Sequence, residues 1–290
     1  MKKVTVIVRT FNVEWVIDQA LAALMAQKGV DIELMIVDSG STDATLEMIA
    51  PYPHTFIAIE PGTYFPGKVL NQAVNEAKTD IVVFVNSDVV LLDEYAIKRL
   101  IEPLEDPKTA ASFGRQIVRP EADLWVRHDY ARAFPDTGEK PEWMHYSLPI
   151  AAMKKSVWEL QPFYTDAWGS EDTHWAVQIK KKGYKIAYVK EAIAMHSHNY
   201  TLKQLASRRR IEGEADVYIY PEKSVSFFST LRSLAGSSLR ESLYYIANKK
   251  IFGIPYLLLN RIVYAWHYYK GFKHASRNRN ENQITFGNYQ

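Results

Sequence analysis

The 290-residue sequence contains no cysteine, which excludes disulfide bonds, thiolate zinc sites and cysteine nucleophiles. This absence fits a reducing compartment. Long apolar runs are also missing. The amino-terminal stretch is interrupted at Arg9 and Asn12, too early for the core of a signal peptide, and the apolar stretch 251–269 is broken by Asn260 and Arg261. The sequence therefore predicts neither a signal peptide nor a transmembrane helix, and we expect a cytoplasmic protein.

Net charge is small, at +2, but it is unevenly distributed. Residues 1–201 carry a net charge of −6 and residues 202–290 a net charge of +8. A basic, aromatic-rich segment after an acidic body predicts an anionic partner, either a membrane or a nucleic acid. The acidic body and its carboxylate-rich motifs argue against nucleic acid as that partner.

Strand and helix signals alternate along the first ninety residues. Short β-branched runs predict buried strands, and segments with apolar residues at helical spacing separate them. The predicted strands are 4–8, 32–37, 55–59 and 81–85, and the predicted helices between them are 13–27, 41–49 and 67–77. This order predicts an α/β fold with a mostly parallel sheet and helices on both faces. Amphipathic helices are predicted from residue 202 onward.

Polar segments follow three of the predicted strands, at residues 9–12, 38–41 and 86–88. Ligands of such sheets bind at the carboxyl ends of the strands, so we expect the three segments to converge. Asp38 precedes a helix start, where backbone N–H groups favour anions, although a simple helix cap is the alternative. Asp88 offers an oxygen ligand for Mg²⁺ or Mn²⁺, although a turn is the alternative.

Further chemistry-bearing residues lie later in the chain. Glu171 and Asp172 stand at a predicted helix start, where the helix dipole alone would stabilise them; a carboxylate there can also take a proton from a hydroxyl. His196 and His198 alternate on an extended segment, so at most one would readily face a metal. Five of the seven Trp lie between residues 125 and 175, either as core residues or as surfaces that stack on a sugar.

These motifs, in this order, resemble glycosyltransferase family 2, whose members have the GT-A nucleotide-sugar fold. The resemblance covers about residues 4–205. It is carried by the Thr-Phe-Asn loop 10–12, the segment 38–43 (Asp-Ser-Gly-Ser-Thr-Asp), Gly67–Asn71, Asn86-Ser87-Asp88, Glu171-Asp172 with Trp175, and His196. The Arg-Thr-Phe-Asn opening, Phe-Gly-Arg-Gln at 113–116 and His-Ser-His-Asn-Tyr at 196–200 resemble a bacterial rhamnosyltransferase-like branch.

The resemblance implies an inverting, metal-dependent transfer of a sugar in cell-surface polysaccharide synthesis, such as that of O-antigen. The implied donor is dTDP-rhamnose or a UDP-hexose, the acceptor a saccharide or polyprenol-linked saccharide, and the cofactor Mn²⁺ or Mg²⁺. Asp172 would be the general base, with Glu171 beside it. The implied donor-binding residues are Thr10, Asn12, Asp38, Ser39, Lys68, Asn71, Asn86 and Ser87; the implied acceptor-binding residues are Trp143, Trp168, Trp175 and Arg115. The implied metal ligands are Asp88 and His196, with His198 as a weaker candidate.

One departure from the family pattern leaves alternatives open. Asn86 replaces the first Asp of the metal motif, so Asp88 would do most of the ligation. If this replacement disables the site, a non-catalytic sugar-nucleotide-binding protein is the alternative. A sugar-phosphate nucleotidyltransferase is a second alternative, although the Gly-rich basic loop typical of that class is missing after the first strand.

We predict two domains. Residues 1–205 would form the GT-A domain, with a donor half at about 1–100 and an acceptor half at about 101–205. Residues 206–290 would form a basic helical extension. That extension is predicted to contact an anionic membrane surface at the inner face of the plasma membrane. A helical cap or a dimer interface is the alternative.

Overall fold

The computed structural model describes residues 1–165 and 168–280, which fall into two compact units. The first unit comprises Met1–Pro120, Tyr130–Thr165 and Glu171–Ser197. The second comprises Glu121–Asp129 and the described residues of 166–170 and 198–290. The predicted domain boundary after residue 205 falls inside a helix, and residues 281–290 of the predicted extension lie outside the described residues.

Among the described residues, eight strands form one sheet in the order β3-β2-β1-β4-β7-β6-β8-β5. The strands are β1 (Lys2–Thr10), β2 (Val30–Asp38), β3 (Thr55–Ala58), β4 (Ile81–Val85), β5 (Val90–Leu91), β6 (Thr109–Ile117), β7 (Ile150–Lys154) and β8 (Lys185–Met195). Strands β1 to β4 pair in parallel, whereas β7 runs antiparallel between β4 and β6. The prediction of an α/β fold with a mixed, mostly parallel sheet is confirmed.

Helices cover both faces of the sheet, which explains the continuous apolar strands. Strand β4 reads Ile-Val-Val-Phe-Val and is buried throughout. Val82 and Phe84 enter one core layer, whereas Ile81, Val83 and Val85 enter the other, as the period-2 geometry of a strand requires. The helices of this part of the chain are α1 (Ile17–Met25), α2 (Thr45–Ile49), α3 (Pro66–Glu76), α4 (Ala96–Ile101), α5 (Leu124–Ala133), α6 (Lys155–Leu160) and α7 (Glu171–Lys181).

The second unit is built from three long helices, α8 (Leu202–Ile219), α9 (Phe227–Ala247) and α10 (Ile254–Asn280). Helices α8 and α10 approach closely because glycine stands at their contact. A Cβ atom at Gly213 would lie 2.2 Å from the carbonyl oxygen of Tyr268, and one at Gly271 would lie 2.1 Å from that of Arg210. Any larger residue at either position would push the two backbones apart.

A buried ion-pair network also joins the helices of this unit. Arg261 on α10 donates hydrogen bonds to Glu241 on α9 and, over 2.8 Å, to Asp129 on α5. Arg261 and Glu241 are buried, whereas Asp129 is half-buried. Removing Arg261 would therefore leave the buried Glu241 carboxylate without a compensating charge. None of the described helices combines the length with the apolar character needed to cross a bilayer.

Candidate active site

Adjacent parallel strands bring the first two polar segments together. Thr10 at the end of β1 is in register with Asp38 at the end of β2, and its hydroxyl donates to Asp38 Oδ1 over 2.8 Å. Asp38 Oδ2 accepts hydrogen bonds of 2.8 Å from the backbone N–H groups of Gly40 and Ser41. Gly40 supplies the left-handed φ of +87° that this turn requires. The buried Asp38 carboxylate therefore organises the loop that follows β2.

Asn12 fastens the loop after β1 to the loop after β2. Its backbone adopts a left-handed φ of 49°, which Asn tolerates better than most residues. Its N–H donates to Ser41 Oγ over 3.0 Å, and its side-chain oxygen accepts from the N–H of Thr42 over 2.8 Å. Ser39 donates its backbone N–H to the Thr10 carbonyl over 3.0 Å, and its side chain is half-buried. The structure thus brings Thr10, Asn12, Asp38 and Ser39 together.

The third polar segment, Asn86 to Asp88, follows β4 on the other side of β1. Asn86 Oδ1 accepts a hydrogen bond from Arg9 Nη2 over 3.3 Å, and the Asn86 N–H donates to the Pro149 carbonyl over 3.0 Å. Ser87 and Asp88 are buried. The predicted convergence of all three polar segments at one edge of the sheet is confirmed.

Asp88 and His196 form a pair whose donor atoms suit a divalent cation. Asp88 Oδ2 lies 3.6 Å from His196 Nε2, and both side chains are buried. Ligands at right angles on an ion with bonds of about 2.1 Å stand about 3 Å apart, so a small closure would let one ion bind both. A carboxylate suits Mn²⁺ or Mg²⁺, a neutral imidazole is a common metal ligand, and the pair leaves coordination positions open for phosphate oxygens. His198 belongs to the second unit, and its role as a ligand stays a prediction.

Glu171 and Asp172 occupy the first turn of α7, as predicted. Asp172 Oδ1 accepts a 2.6 Å hydrogen bond from the N–H of Thr173, and Asp172 Oδ2 lies 3.5 Å from the N–H of Leu148. Burial raises the pKa of Asp172, while these N–H groups and the charge of Arg9 oppose the rise. A carboxylate whose pKa is raised is a stronger proton acceptor once it is ionised.

Arg9 is a central residue of the site that sequence reasoning missed. Besides Asn86, its guanidinium donates to the Tyr64 hydroxyl over 3.3 Å and stands 4.0 Å from Glu171 Oε1. One cation thus lies between the acidic helix start and the loop that carries Asp88. Its position at the end of β1, next to Thr10, was the available sequence signal.

A second missed arginine supports the Asp88 loop. Arg119 Nη2 donates to the Asp88 carbonyl oxygen over 2.6 Å, and the guanidinium stacks 4.7 Å from the centre of the Trp15 ring. The Arg119 side chain is buried. No local pattern marks it, because its partners lie about 30 and 100 residues away in sequence.

The segment Gly67–Asn71 lies at the start of α3, where Pro66 occupies the first turn. Lys68 is exposed, with its Nζ 5.6 Å from the centre of the Phe65 ring. Asn71 bonds to another part of the chain. Its Nδ2 donates to the Phe163 carbonyl over 2.8 Å, and its Oδ1 accepts from the Phe163 N–H and from Trp158 Nε1, each over 2.9 Å. These bonds anchor the segment 158–163, and a role of Asn71 in donor binding stays a prediction.

The predicted acceptor-binding residues differ in their exposure to solvent. Trp143 is 54% exposed, whereas Trp168, which belongs to the second unit, is half-buried. Arg115 on β6 is half-buried and pairs with Asp136 over 3.5 Å. Trp175 is a correction, because its ring is fully buried. Its Nε1 donates to the Gln161 carbonyl over 2.6 Å, which makes it a core residue with no surface for a sugar.

Comparison with known proteins agrees with this geometry. The sequence matches the family model "Glycosyl transferase family 2" over residues 5–160. It is 32% identical over 223 residues to the O-antigen chain rhamnosyltransferase WbaN of Salmonella anatum, which covers 70% of this chain and 69% of the relative. The corresponding enzyme RfbN of Salmonella typhimurium is 33% identical over 221 residues, covering 70% of this chain and 68% of the relative.

The fold has solved counterparts. The mannosyltransferase PcManGT of Pyrobaculum calidifontis, solved in complex with GDP-Man and Mn²⁺, superposes with a TM-score of 0.65 at 17% identity. The superposition covers 95% of this chain and 87% of PcManGT. The chain is therefore a glycosyltransferase with the GT-A fold, and it belongs to glycosyltransferase family 2.

Proposed function

We propose that this glycosyltransferase moves a sugar, rhamnose from dTDP-rhamnose or a hexose from a UDP-hexose, to a saccharide or lipid-linked saccharide with inversion at the anomeric carbon. The product would be part of a cell-surface polysaccharide such as O-antigen, the class named for WbaN and RfbN. The observation that carries the proposal is that Arg9 contacts both the acidic start of α7, where Asp172 lies, and Asn86 of the loop on which Asp88 pairs with His196.

The reaction is a single in-line displacement. Asp172 accepts the proton of the acceptor hydroxyl as its oxygen forms a bond to the anomeric carbon. The bond from that carbon to the donor diphosphate breaks, and the nucleoside diphosphate leaves with the electron pair. Mn²⁺ or Mg²⁺ held by Asp88 and His196 would offset the negative charge on the diphosphate. Arg9 adds a fixed positive charge next to Asn86.

The remaining residues bind and orient the substrates. The loops tied together by Asn12 and Asp38 would enclose the nucleoside, with Thr10, Ser39 and Ser87 shaping its pocket. Lys68 is exposed at the start of α3. Its ammonium group would contact the donor diphosphate. Trp143 and Arg115 would border the acceptor. Glu171 would hold Arg9 in place beside Asp172.

Metal-dependent donor binding tests the ligand assignment. We expect Asp88→Ala to lose the increase in nucleotide affinity that Mn²⁺ gives the wild-type protein, because the only carboxylate of the described ligand pair is removed. Isothermal titration of the nucleoside diphosphate with and without Mn²⁺ measures this directly. Asp18→Ala, at an exposed acid on α1, is the matched control and should behave as wild type. Unchanged metal dependence in Asp88→Ala would refute the assignment.

We further propose that the second unit contacts an anionic membrane that carries a lipid-linked acceptor. Aromatic side chains of α9 and α10 form an aromatic patch, defined as Phe227, Phe228, Trp266 and Tyr269. Phe228 is 81% exposed. The ammonium groups of Lys270 and Lys273 lie 5.2 and 5.8 Å from the Trp266 and Tyr269 ring centres.

A second exposed aromatic side chain lies after α9. Phe252 is 95% exposed and follows Lys249 and Lys250 in the sequence. Apolar and aromatic side chains interleaved with lysine suit the interface of an anionic bilayer, because the rings enter the headgroup region while the ammonium groups meet phosphate. The same composition suits a bilayer better than a protein partner, since lysine is depleted in protein interfaces.

Vesicle flotation of the full chain tests this contact. We expect vesicles with anionic lipid to carry the wild-type protein, and the double substitution Phe228→Ser with Phe252→Ser to lower the bound fraction at least tenfold. Phe56→Ser, at a half-exposed residue of β3, is the control. Equal flotation of all three proteins, or binding that does not depend on anionic lipid, would contradict the membrane assignment and favour a cap or a dimer interface.

A further inference from the structure

Two successive hydrogen bonds lead from Ser147 through the buried Gln116 to His196. Gln116 Nε2 donates to Ser147 Oγ over 2.8 Å, and Gln116 Oε1 lies 2.8 Å from His196 Nδ1. The other imidazole nitrogen, Nε2, faces Asp88 Oδ2 at 3.6 Å. Gln116 is itself 3% exposed. The Tyr130 hydroxyl lies 3.5 Å from the same Nδ1, which is too long for a strong hydrogen bond. Gln116 is thus the nearest partner of Nδ1.

The strands hold this contact in place. β6 and β8 run parallel with Gln116 paired to Ala194, and the His196 N–H donates to the Ile117 carbonyl over 2.9 Å. The register between the strands shifts just before this point, between Gly114 and Arg115. A side chain at Gly114 would meet the Ala192 carbonyl at 2.5 Å, so glycine permits the bulge that sets the final register.

The two ends of the Gln116 amide determine which imidazole nitrogen carries the proton. An amide oxygen only accepts, so a nitrogen facing Oε1 must donate. With Gln116 Nε2 bound to Ser147, Oε1 faces His196 and Nδ1 carries the hydrogen. A neutral imidazole then presents the Nε2 lone pair toward Asp88, which is the form a metal ligand requires. The opposite amide orientation would place the hydrogen on Nε2 and block ligation.

We propose that Gln116 is a positioning residue that fixes His196 in the Nδ1–H tautomer and so sets the affinity of the Asp88–His196 pair for a divalent cation. The statement about metal affinity rests on the proposed function, in which Asp88 and His196 are the metal ligands. The statement about the tautomer of His196 rests only on the hydrogen bonds of Gln116.

Two substitutions at Gln116 separate its hydrogen bonding from its volume. Gln116→Met keeps the length of the side chain and removes the acceptor. Gln116→Glu keeps an acceptor opposite Nδ1, and the Ser147 hydroxyl can turn to donate to its second oxygen. Removing such a partner of a metal ligand typically weakens metal binding by about 10–100-fold. We expect that loss in Gln116→Met, and affinity within about threefold of wild type in Gln116→Glu.

The experiment uses the whole 290-residue chain without a donor. Long-range ¹H–¹⁵N NMR correlations report the tautomer of His196, which is assigned by comparison with His196→Gln. Electron paramagnetic resonance of free Mn²⁺ gives the dissociation constant of each variant, and thermal unfolding confirms that each is folded. Because both readouts are made without turnover, a purely structural effect of Gln116 on activity would not produce them.

The outcomes are distinct. The Nδ1–H tautomer in wild type, with weaker Mn²⁺ binding in Gln116→Met and near-normal binding in Gln116→Glu, supports the proposal. An Nε2–H tautomer in wild type, or equal Mn²⁺ affinity in Gln116→Met and wild type, overturns it. A wild-type protein that binds no Mn²⁺ would refute the metal assignment of the proposed function and the statement about metal affinity, while the NMR measurement would still decide the tautomer.

Discussion

Replacing Asp172 with asparagine removes a charge and a proton acceptor while keeping the shape of the side chain. The amide introduced by Asp172→Asn would still offer one carbonyl oxygen to the Thr173 N–H, now bound over 2.6 Å. It would give up the contact to the Leu148 N–H, which is already 3.5 Å long, and the attraction to the charge of Arg9. We therefore expect Asp172→Asn to fold and to bind nucleotide as the wild-type protein does.

The expected effect on the reaction is large. A positioned general base contributes about 10²–10⁴-fold to a rate, which corresponds to about 3–5 kcal/mol of activation free energy. Initial rates of nucleotide release with acceptor present measure the loss, and isothermal titration measures nucleotide binding. Glu171→Gln is the matched variant one residue away, for which we expect a smaller loss because Glu171 contacts Arg9 only at 4.0 Å.

The pH dependence of the same variant gives an independent check. Burial raises the pKa of Asp172, so in the wild-type protein activity should fall as pH decreases through this raised value. Ionising a carboxyl whose folded pKa is raised destabilises the fold, and this penalty appears as pH rises through that pKa. Asp172→Asn should therefore unfold at a higher temperature than wild type at neutral pH, with the difference vanishing below about pH 4.

Two results would refute this reasoning. If Asp172→Asn retained more than a tenth of wild-type transfer, Asp172 would not be the general base. If transfer and nucleotide affinity fell in parallel, the residue would act in donor binding or folding, and the base would have to be sought elsewhere in the site.

Three further predictions concern stability and are measured by urea unfolding. Trp175→Ala should lower the free energy of unfolding by about 3–5 kcal/mol, whereas Trp143→Ala should change it by less than about 0.5 kcal/mol; similar values for both would place Trp175 outside the core. Asn71→Ala, which strips partners from buried backbone groups, should destabilise by about 2 kcal/mol or more, and a neutral result would show that Asn71 does not anchor the segment 158–163. Gly271→Ala should destabilise by about 1–3 kcal/mol through backbone overlap, whereas Gly236→Ala, with open space around it, should stabilise α9 by up to about 1 kcal/mol; the reverse order would contradict the close helix contact.

The parallel half of the sheet could be predicted because its strands carry strong local signals. β1, β2 and β4 are β-branched runs buried on both faces, and each is followed by a polar segment. β7 was not predicted. Its central residues, Ala151 and Ala152, are alanine, which has little preference for strands. β6 mixes small and polar residues and is stabilised by pairing with a strand some 75 residues later, which no local pattern encodes.

The site shows the same division. The polar segments after β1, β2 and β4 could be predicted, because strand ends in parallel sheets meet at one edge. Arg119 and Gln116 could not, since their roles depend on partners that only the folded chain brings near. Conversely, Trp175 looks functional by motif, but tertiary packing gives it a structural role.

The proposed reaction transfers a sugar from a nucleotide donor and depends on a divalent metal. Nucleotide release from a panel of UDP-, dTDP- and GDP-sugars in the presence of Mn²⁺, Mg²⁺ or EDTA tests both properties together. We expect turnover of one donor with Mn²⁺ or Mg²⁺ and its loss in EDTA. No turnover with any donor, together with no nucleotide-induced shift in thermal unfolding, would contradict the proposed reaction and leave a non-catalytic member of the family.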